Sequence, residues 1–196
     1  MAYGAFNLWQ SYSATHQSDV KIPVEVVRYS TDEPAETMPT EACRDYQVAA
    51  ELPRRIIIES IGVDACVQQV GRDQDNAVAV PTNIHLGGWF IESAKPGDVG
   101  NSIIDGHVNG RYADAVFVDL GNLKSGDTIT VELGDYSRKA FSVIETKSYP
   151  VEQAAGELFR QLNSVDRQLT LITCGGSYNN NAETYDERVI VRAASM

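Results

Sequence analysis

Cys174 ends an apolar run, QLTLITC, and is followed by Gly175 and Gly176. A thiol in that setting is open to an extended substrate, because backbone without side chains permits close approach. The glycines also leave N–H groups to aim at a developing oxyanion. A free thiol is mostly protonated at neutral pH, so a nucleophilic cysteine needs a base. His107 is the candidate. It closes the apolar run of IIDGHVNG, directly after a glycine. An imidazole there would take the thiol proton and later give one to a leaving amine. Of the other two histidines, His16 lies in an irregular N-terminal stretch and His85 reads as a core or turn residue. Arg188 opens the run RVIVRA after the polar segment SYNNNAETYDE. A guanidinium is always charged, and it stabilises an oxyanion that exists only in the transition state. Arg192 shares its face by strand parity and is the rival. Each residue also has a plainer reading: a buried structural cysteine, a satisfied histidine, a surface arginine. Taken together they point to acyl transfer through a thioester.

These residues need strands to hold them. RIIIES (55–60), ACVQQV (65–70), AVAV (77–80), NSIIDGHV (101–108), TITVEL (128–133), KAFSVIETKSY (139–149), QLTLITC (168–174) and RVIVRA (188–193) are β-branched or alternating. Ile61-Gly62, Pro96-Gly97, Ser125-Gly126-Asp127 and Gly134-Asp135 mark turns between them. VEQAAGELFRQL (151–162) is the one clear helix, and a shorter helical turn is expected near 114–122. About eight strands with few helices predict an all-β fold, an antiparallel sandwich or closed barrel.

The 196 residues suit one domain plus an extra segment. Residues 1–52 form an N-terminal arm or juxtamembrane stalk, and its acidic, Pro- and Thr-rich part STDEPAETMPTEA (30–42) reads as a linker. The folded domain is expected over 53–196. A net charge of −11 argues against a nucleic-acid partner, which wants a basic face. No run of about 20 apolar residues is present, so this chain carries no transmembrane helix. Tyr3, Phe6, Trp9 and Tyr12 recur every third residue, as where a helix leaves a membrane, or else as residues packed on the domain. The three cysteines form no CxxC pair, which excludes a zinc ribbon or thioredoxin-type site. Cys43 and Cys66 are read as reduced, Cys66 as a small core residue; the alternative is a disulfide that leaves Cys174 the odd thiol.

At this point the chain resembles the sortases, cysteine transpeptidases that attach proteins to the Gram-positive cell wall. The resemblance rests on Gly106-His107, on the TLxTC motif at Thr170–Cys174, and on Arg188-Val189-Ile190-Val191. The spacings fit too: 67 positions from His107 to Cys174 and 14 from Cys174 to Arg188. So do IESIGVDACV, VPTNIHLGGWF, PGDVGNSIIDGHV and LKSGDTITV. It spans about 53–193 and is most similar to the class F group, through GWF, GHV and LITCGG followed by an aromatic.

The resemblance implies a closed eight-stranded β-barrel with one or two short helices. It implies that Cys174 attacks the Thr–Gly carbonyl of an LPxTG-like sorting signal on a surface protein. An amine from cell-wall precursor or peptidoglycan then resolves the thioester. His107 would move the protons, and Arg188 would hold substrate and oxyanion. Thr173 would position Cys174, and the Gly175 N–H would complete the oxyanion hole. Val151, Leu158 and Phe159 would wall the pocket for the Leu-Pro end or form the helix's core face; Tyr178 and Tyr185 would line the other side. No metal or other cofactor is expected. The enzyme would be extracytoplasmic, held at the membrane by an anchor outside this chain. Two other readings stay open: a cysteine peptidase with water as main acceptor, and a non-catalytic surface domain.

Overall fold

A computed structural model describes residues 22, 24–31, 33–39, 43, 45–179 and 184–196. His16 and the aromatic spacing from Tyr3 to Tyr12 lie outside the described residues. The strands are β1 (Pro53–Ile58), β2 (Val63–Val70), β3 (Gly87–Phe90), β4 (Gly100–Gly106), β5 (Thr128–Leu133), β6 (Arg138–Pro150), β7 (Arg167–Asn179) and β8 (Thr184–Ser195). One helix, α1 (Val151–Phe159), joins β6 to β7. The strands close into a barrel in the order β1-β2-β3-β4-β7-β8-β6-β5. Two pairings are parallel, β2 with β3 and β4 with β7.

Strand alternation fills the barrel. Ile56 and Ile58 of β1, Val67 of β2, Ile104 of β4, Ile129 and Val131 of β5, Leu169 and Leu171 of β7 and Val191 of β8 meet in one core with Phe117 and Phe141. The other parity faces outward. There Val27, Val70, Ala79, Phe90, Ile103 and Leu158 make a second apolar cluster, against which Ile172 packs. The outer faces of β4 and β7 are therefore partly covered, and a groove between covered stretches is where a site can lie.

The helix is shorter than its sequence pattern, ending at Phe159 rather than Leu162, because Arg160 turns extended. Ala154 and Leu158, four apart, are its buried stripe. Arg192 bolts it down. Its side chain is fully buried and bonds the Glu145 carboxylate at 2.5 Å and both the carboxylate and carbonyl of Glu157 at 2.7 Å. Near 114–122 only a 3-10 turn forms, at Leu120–Asn122.

Three other expectations are corrected. AVAV (77–80) is not a strand; it is a loop on which Val78 makes a lone bridge to Arg72, while Ala79 fills the outer cluster. GGWF is a strand, despite two poor strand formers. Its glycines are there for space, since a Cβ on Gly88 would fall 2.3 Å from Asp105 Oδ1 and 2.9 Å from Pro81 Cγ. Cys43 and Cys66 are joined in a disulfide across a sequence separation of 23, leaving Cys174 the free thiol. The bridge sits in a third cluster with Tyr46 and Leu86 and ties the arm to β2.

Reducing Cys43–Cys66 is expected to cost about 3 kcal/mol through the loop it closes. A Cys43→Ala/Cys66→Ala variant should show that loss in urea unfolding. Arg192→Ala should cost about 1.5–3 kcal/mol, because it removes the charged hydrogen bonds that hold α1, while Glu145 keeps Lys147 and Arg160. Unchanged urea midpoints would refute either expectation.

Candidate functional site

The parallel register of β4 on β7 runs through Asp105 opposite Ile172. One step on, the Thr173 hydroxyl donates to the Gly106 carbonyl at 2.7 Å. His107 follows directly after the end of β4, and Cys174 directly after Thr173. On the other side of β7, Cys174 is the direct partner of Arg188 on β8. Parity places all three on the barrel's outer face, because Leu171, Val191 and Ile104 point into the core. Cys174 on β7, Arg188 on β8 and His107 just past the end of β4 thus come from three neighbouring segments of the barrel. Arg188 lies within β8 rather than at its head, since β7 and β8 continue past the site as a ribbon to Asn179 and Thr184.

The ring of His107 is mostly buried, and its Nε2–H donates to the Pro81 carbonyl at 2.9 Å. That bond sets the tautomer, with Nδ1 as the basic nitrogen. Burial lowers the imidazole pKa, partly offset by the bond to Pro81. Burial pushes the Cys174 thiol up; the Arg188 charge pulls it back and Asp105 adds to the rise. Both shifts disfavour the charged forms, thiolate and imidazolium. Arg188 is half-buried, and its Nη1 donates to the carbonyls of Tyr185 at 3.1 Å and Glu187 at 2.8 Å. The guanidinium is fixed by its own strand's backbone.

Glycine geometry shapes the approach. A Cβ on Gly175 would meet Val189 Cγ2 at 2.7 Å. Gly176 has φ +76, and the Asp186 carboxylate lies where its Cβ would be. That carboxylate accepts the Ser177 N–H at 2.7 Å, marking a bulge just beyond Cys174. Tyr178 and Tyr185 are cross-strand partners with ring centroids 5.2 Å apart, edge to face. Tyr185 OH donates to Asn109 Oδ1 at 3.0 Å, linking the β7–β8 ribbon to the segment after His107. Of the helix residues, Val151 and Phe159 are exposed, while Leu158 is buried in the outer cluster. Among the described residues no group of three or more His, Cys, Asp or Glu is placed to hold a metal ion.

Asp105 is the residue the sequence reading missed. It shares the outer face with His107, two positions away, and it is buried over Gly88 with Oδ1 lacking any partner. Its signal was an acid inside the apolar run SIIDG. Burial holds its pKa well above the usual carboxylate range. The folded protein therefore binds a proton that the unfolded chain has lost above about pH 4. Stability should then fall as pH rises from that value through the folded pKa of Asp105. Asp105→Asn should flatten that decline in urea midpoints taken across a pH series. Parallel curves for the two proteins would contradict it.

A sequence profile for the sortase domain matches residues 56–196. No curated protein matches. Among solved structures, a lid mutant of sortase A from Corynebacterium diphtheriae is 23% identical with a TM-score of 0.57, over 78% of this chain and 73% of that one. Sortase C-1 from Actinomyces oris is 23% identical with a TM-score of 0.53, over 73% and 72%. A sortase D5 transpeptidase from Clostridium perfringens is 22% identical with a TM-score of 0.53, over 78% and 83%. At these identities the structures speak for the shared barrel, and the profile, which spans most of the chain, speaks for descent: this chain belongs to the sortase family.

Proposed function

We propose that the protein is a cell-surface cysteine transpeptidase. It would cleave an LPxTG-like sorting signal and transfer the acyl part to an amine of cell-wall precursor. What supports this is the register that sets Cys174 opposite Arg188 and the Thr173–Gly106 bond that fastens β7 to β4 one residue before Cys174 and His107. Within the family we place it nearest class F, on GWF, GHV and LITCGG.

In this reading the Cys174 sulfur attacks the scissile carbonyl while His107 Nδ1 takes the thiol proton. The tetrahedral oxyanion collapses to a thioester, and His107 returns the proton to the departing amine. An incoming amine repeats the steps in reverse, losing its proton to His107 and displacing Cys174 as the thiol. Arg188 faces the oxygen on which charge develops, with the Gly175 N–H as a second donor. Thr173 acts from below by tying β7 to β4 at Gly106. Tyr178 and Tyr185 wall one side of the groove, and exposed Val151 and Phe159 offer apolar contacts on the other.

An LPxTG peptide incubated with and without an amine, and followed by mass spectrometry, tests the reading. Ligated product is expected with the amine and none from Cys174→Ala. Hydrolysis alone under every amine tried would favour a peptidase. Arg188→Ala should lose about 10²–10³ in rate with the fold intact. An equal selective loss in Arg192→Ala would move the role to that residue.

A further inference from the structure

The arm segment 33–39 lies along the loop that leads into β3. The Ala35 N–H donates to the Thr82 carbonyl and the Ile84 N–H to the Ala35 carbonyl, both at 2.9 Å. Asn83 Nδ2 donates to the Thr37 carbonyl at 2.9 Å, and His85 Nε2–H to the Glu36 carbonyl at 3.0 Å. The backbone of Glu36 is thereby fixed, and its side chain reaches the turn that follows His107. The Gly110 N–H closes this turn on the Ala113 carbonyl at 2.7 Å. The successive N–H groups of Arg111 and Tyr112 converge on the Glu36 carboxylate, at 2.5 Å from Oε1 and 3.0 Å from Oε2. Two consecutive backbone donors make a small anion-binding concavity, and a carboxylate in it is held by charge-assisted bonds. Gly110 leaves the room: a Cβ there would fall 2.7 Å from Glu36 Cδ. On its far side the segment is held by Asn109, which accepts from Tyr185, three residues before Arg188.

We propose that Glu36 is a positioning residue for His107. Its carboxylate locks the 110–113 turn from the arm side. Through that turn it holds the His107 backbone and the Asn109–Tyr185 link in register with Cys174. The inference rests on His107 being the acid–base residue. Glu36 itself touches none of the candidate reacting groups. The Cys43–Cys66 disulfide anchors the arm seven residues further on, so the clamp cannot drift away from the barrel.

Glu36→Ala is expected to lower kcat by about tenfold to a hundredfold, the scale for a misplaced catalytic group. KM and the melting temperature should stay close to wild type. Gly110→Ala, which displaces the carboxylate while Glu36 remains, should reproduce the loss; Glu36→Gln, which keeps one acceptor, should fall between. Wild-type kcat in both Glu36→Ala and Gly110→Ala would overturn the proposal. So would a loss that simply follows the melting temperature. The pH profile of Cys174 alkylation by iodoacetamide reads the same placement without any peptide. Glu36→Ala should shift it toward the profile of His107→Ala. An unmoved profile sinks the clamp whether or not the wild type transfers an acyl group. An inactive wild type whose profile does shift would instead count against the transpeptidase reading alone.

Discussion

The parallel pairing of β4 with β7 is the constraint on which the site depends. Parallel neighbours cannot be joined by a tight hairpin and need a long crossover. Here the crossover carries two of the eight strands: β5, β6 and α1 are all laid down between β4 and β7. Parallel strands also run the same way, so the end of β4 at Gly106 meets Thr173 within β7 even though 67 positions separate them. The bond from Thr173 to the Gly106 carbonyl fastens the two strands one residue before the candidate pair. Because Thr173 is buried, that bond is made out of reach of water and fixes the relative height of the strands. The antiparallel return of β8 then adds Arg188 opposite Cys174 at no further topological cost.

The same strand shows how a four-residue step divides labour. Arg188 and Arg192 share a face, yet one is half-buried beside the thiol and the other is sealed beneath α1. The difference lies in what covers them. Glu145 and Glu157 surround Arg192, and its Nη2 also takes a carbonyl of the helix. A guanidinium so committed cannot meet a substrate. Arg188 spends one nitrogen on two carbonyls of its own strand, which orients the planar group without closing over it. The helix is thus both roof for one arginine and border of the open groove for the other.

Much of this was legible in the residues. Alternation in TITVEL, QLTLITC and RVIVRA marks them as strands, and parity in the last puts Arg188 and Arg192 on one face. Choosing between the arginines was beyond sequence, because Glu145 and Glu157 come from other elements. AVAV looked like a strand by composition but has no neighbouring edge to pair with beyond one bridge. GGWF was hidden by its glycines, whose reason lies across the sheet in Ile104 and Asp105. The disulfide was weighed and set aside because cysteine spacing alone cannot show that two Cα atoms lie 5.3 Å apart. The acidic composition of 30–42 suggested a loose linker, while Glu36 finds two backbone donors that no local pattern announces.

The electrostatics of the site follow from its partial burial. In a half-buried groove a resting thiolate–imidazolium pair would carry the desolvation cost of two ions. Burial pushes the thiol up and the imidazole down, which disfavours both charged forms. Asp105 belongs to the same logic: burial holds its pKa well above the usual carboxylate range, and its charge, once formed, opposes a thiolate. Arg188 is the one permanent charge among these groups, and in the proposed mechanism it would favour the negative charge that appears on sulfur and then on oxygen. Charge separation is deferred to the step where it lowers the barrier, which is the condition for stabilising a transition state more than a ground state. A site tuned this way depends on placement more than on a standing ion pair, and that is why contacts as remote as Thr173 to Gly106 and Glu36 to the 110–113 turn bear on its chemistry.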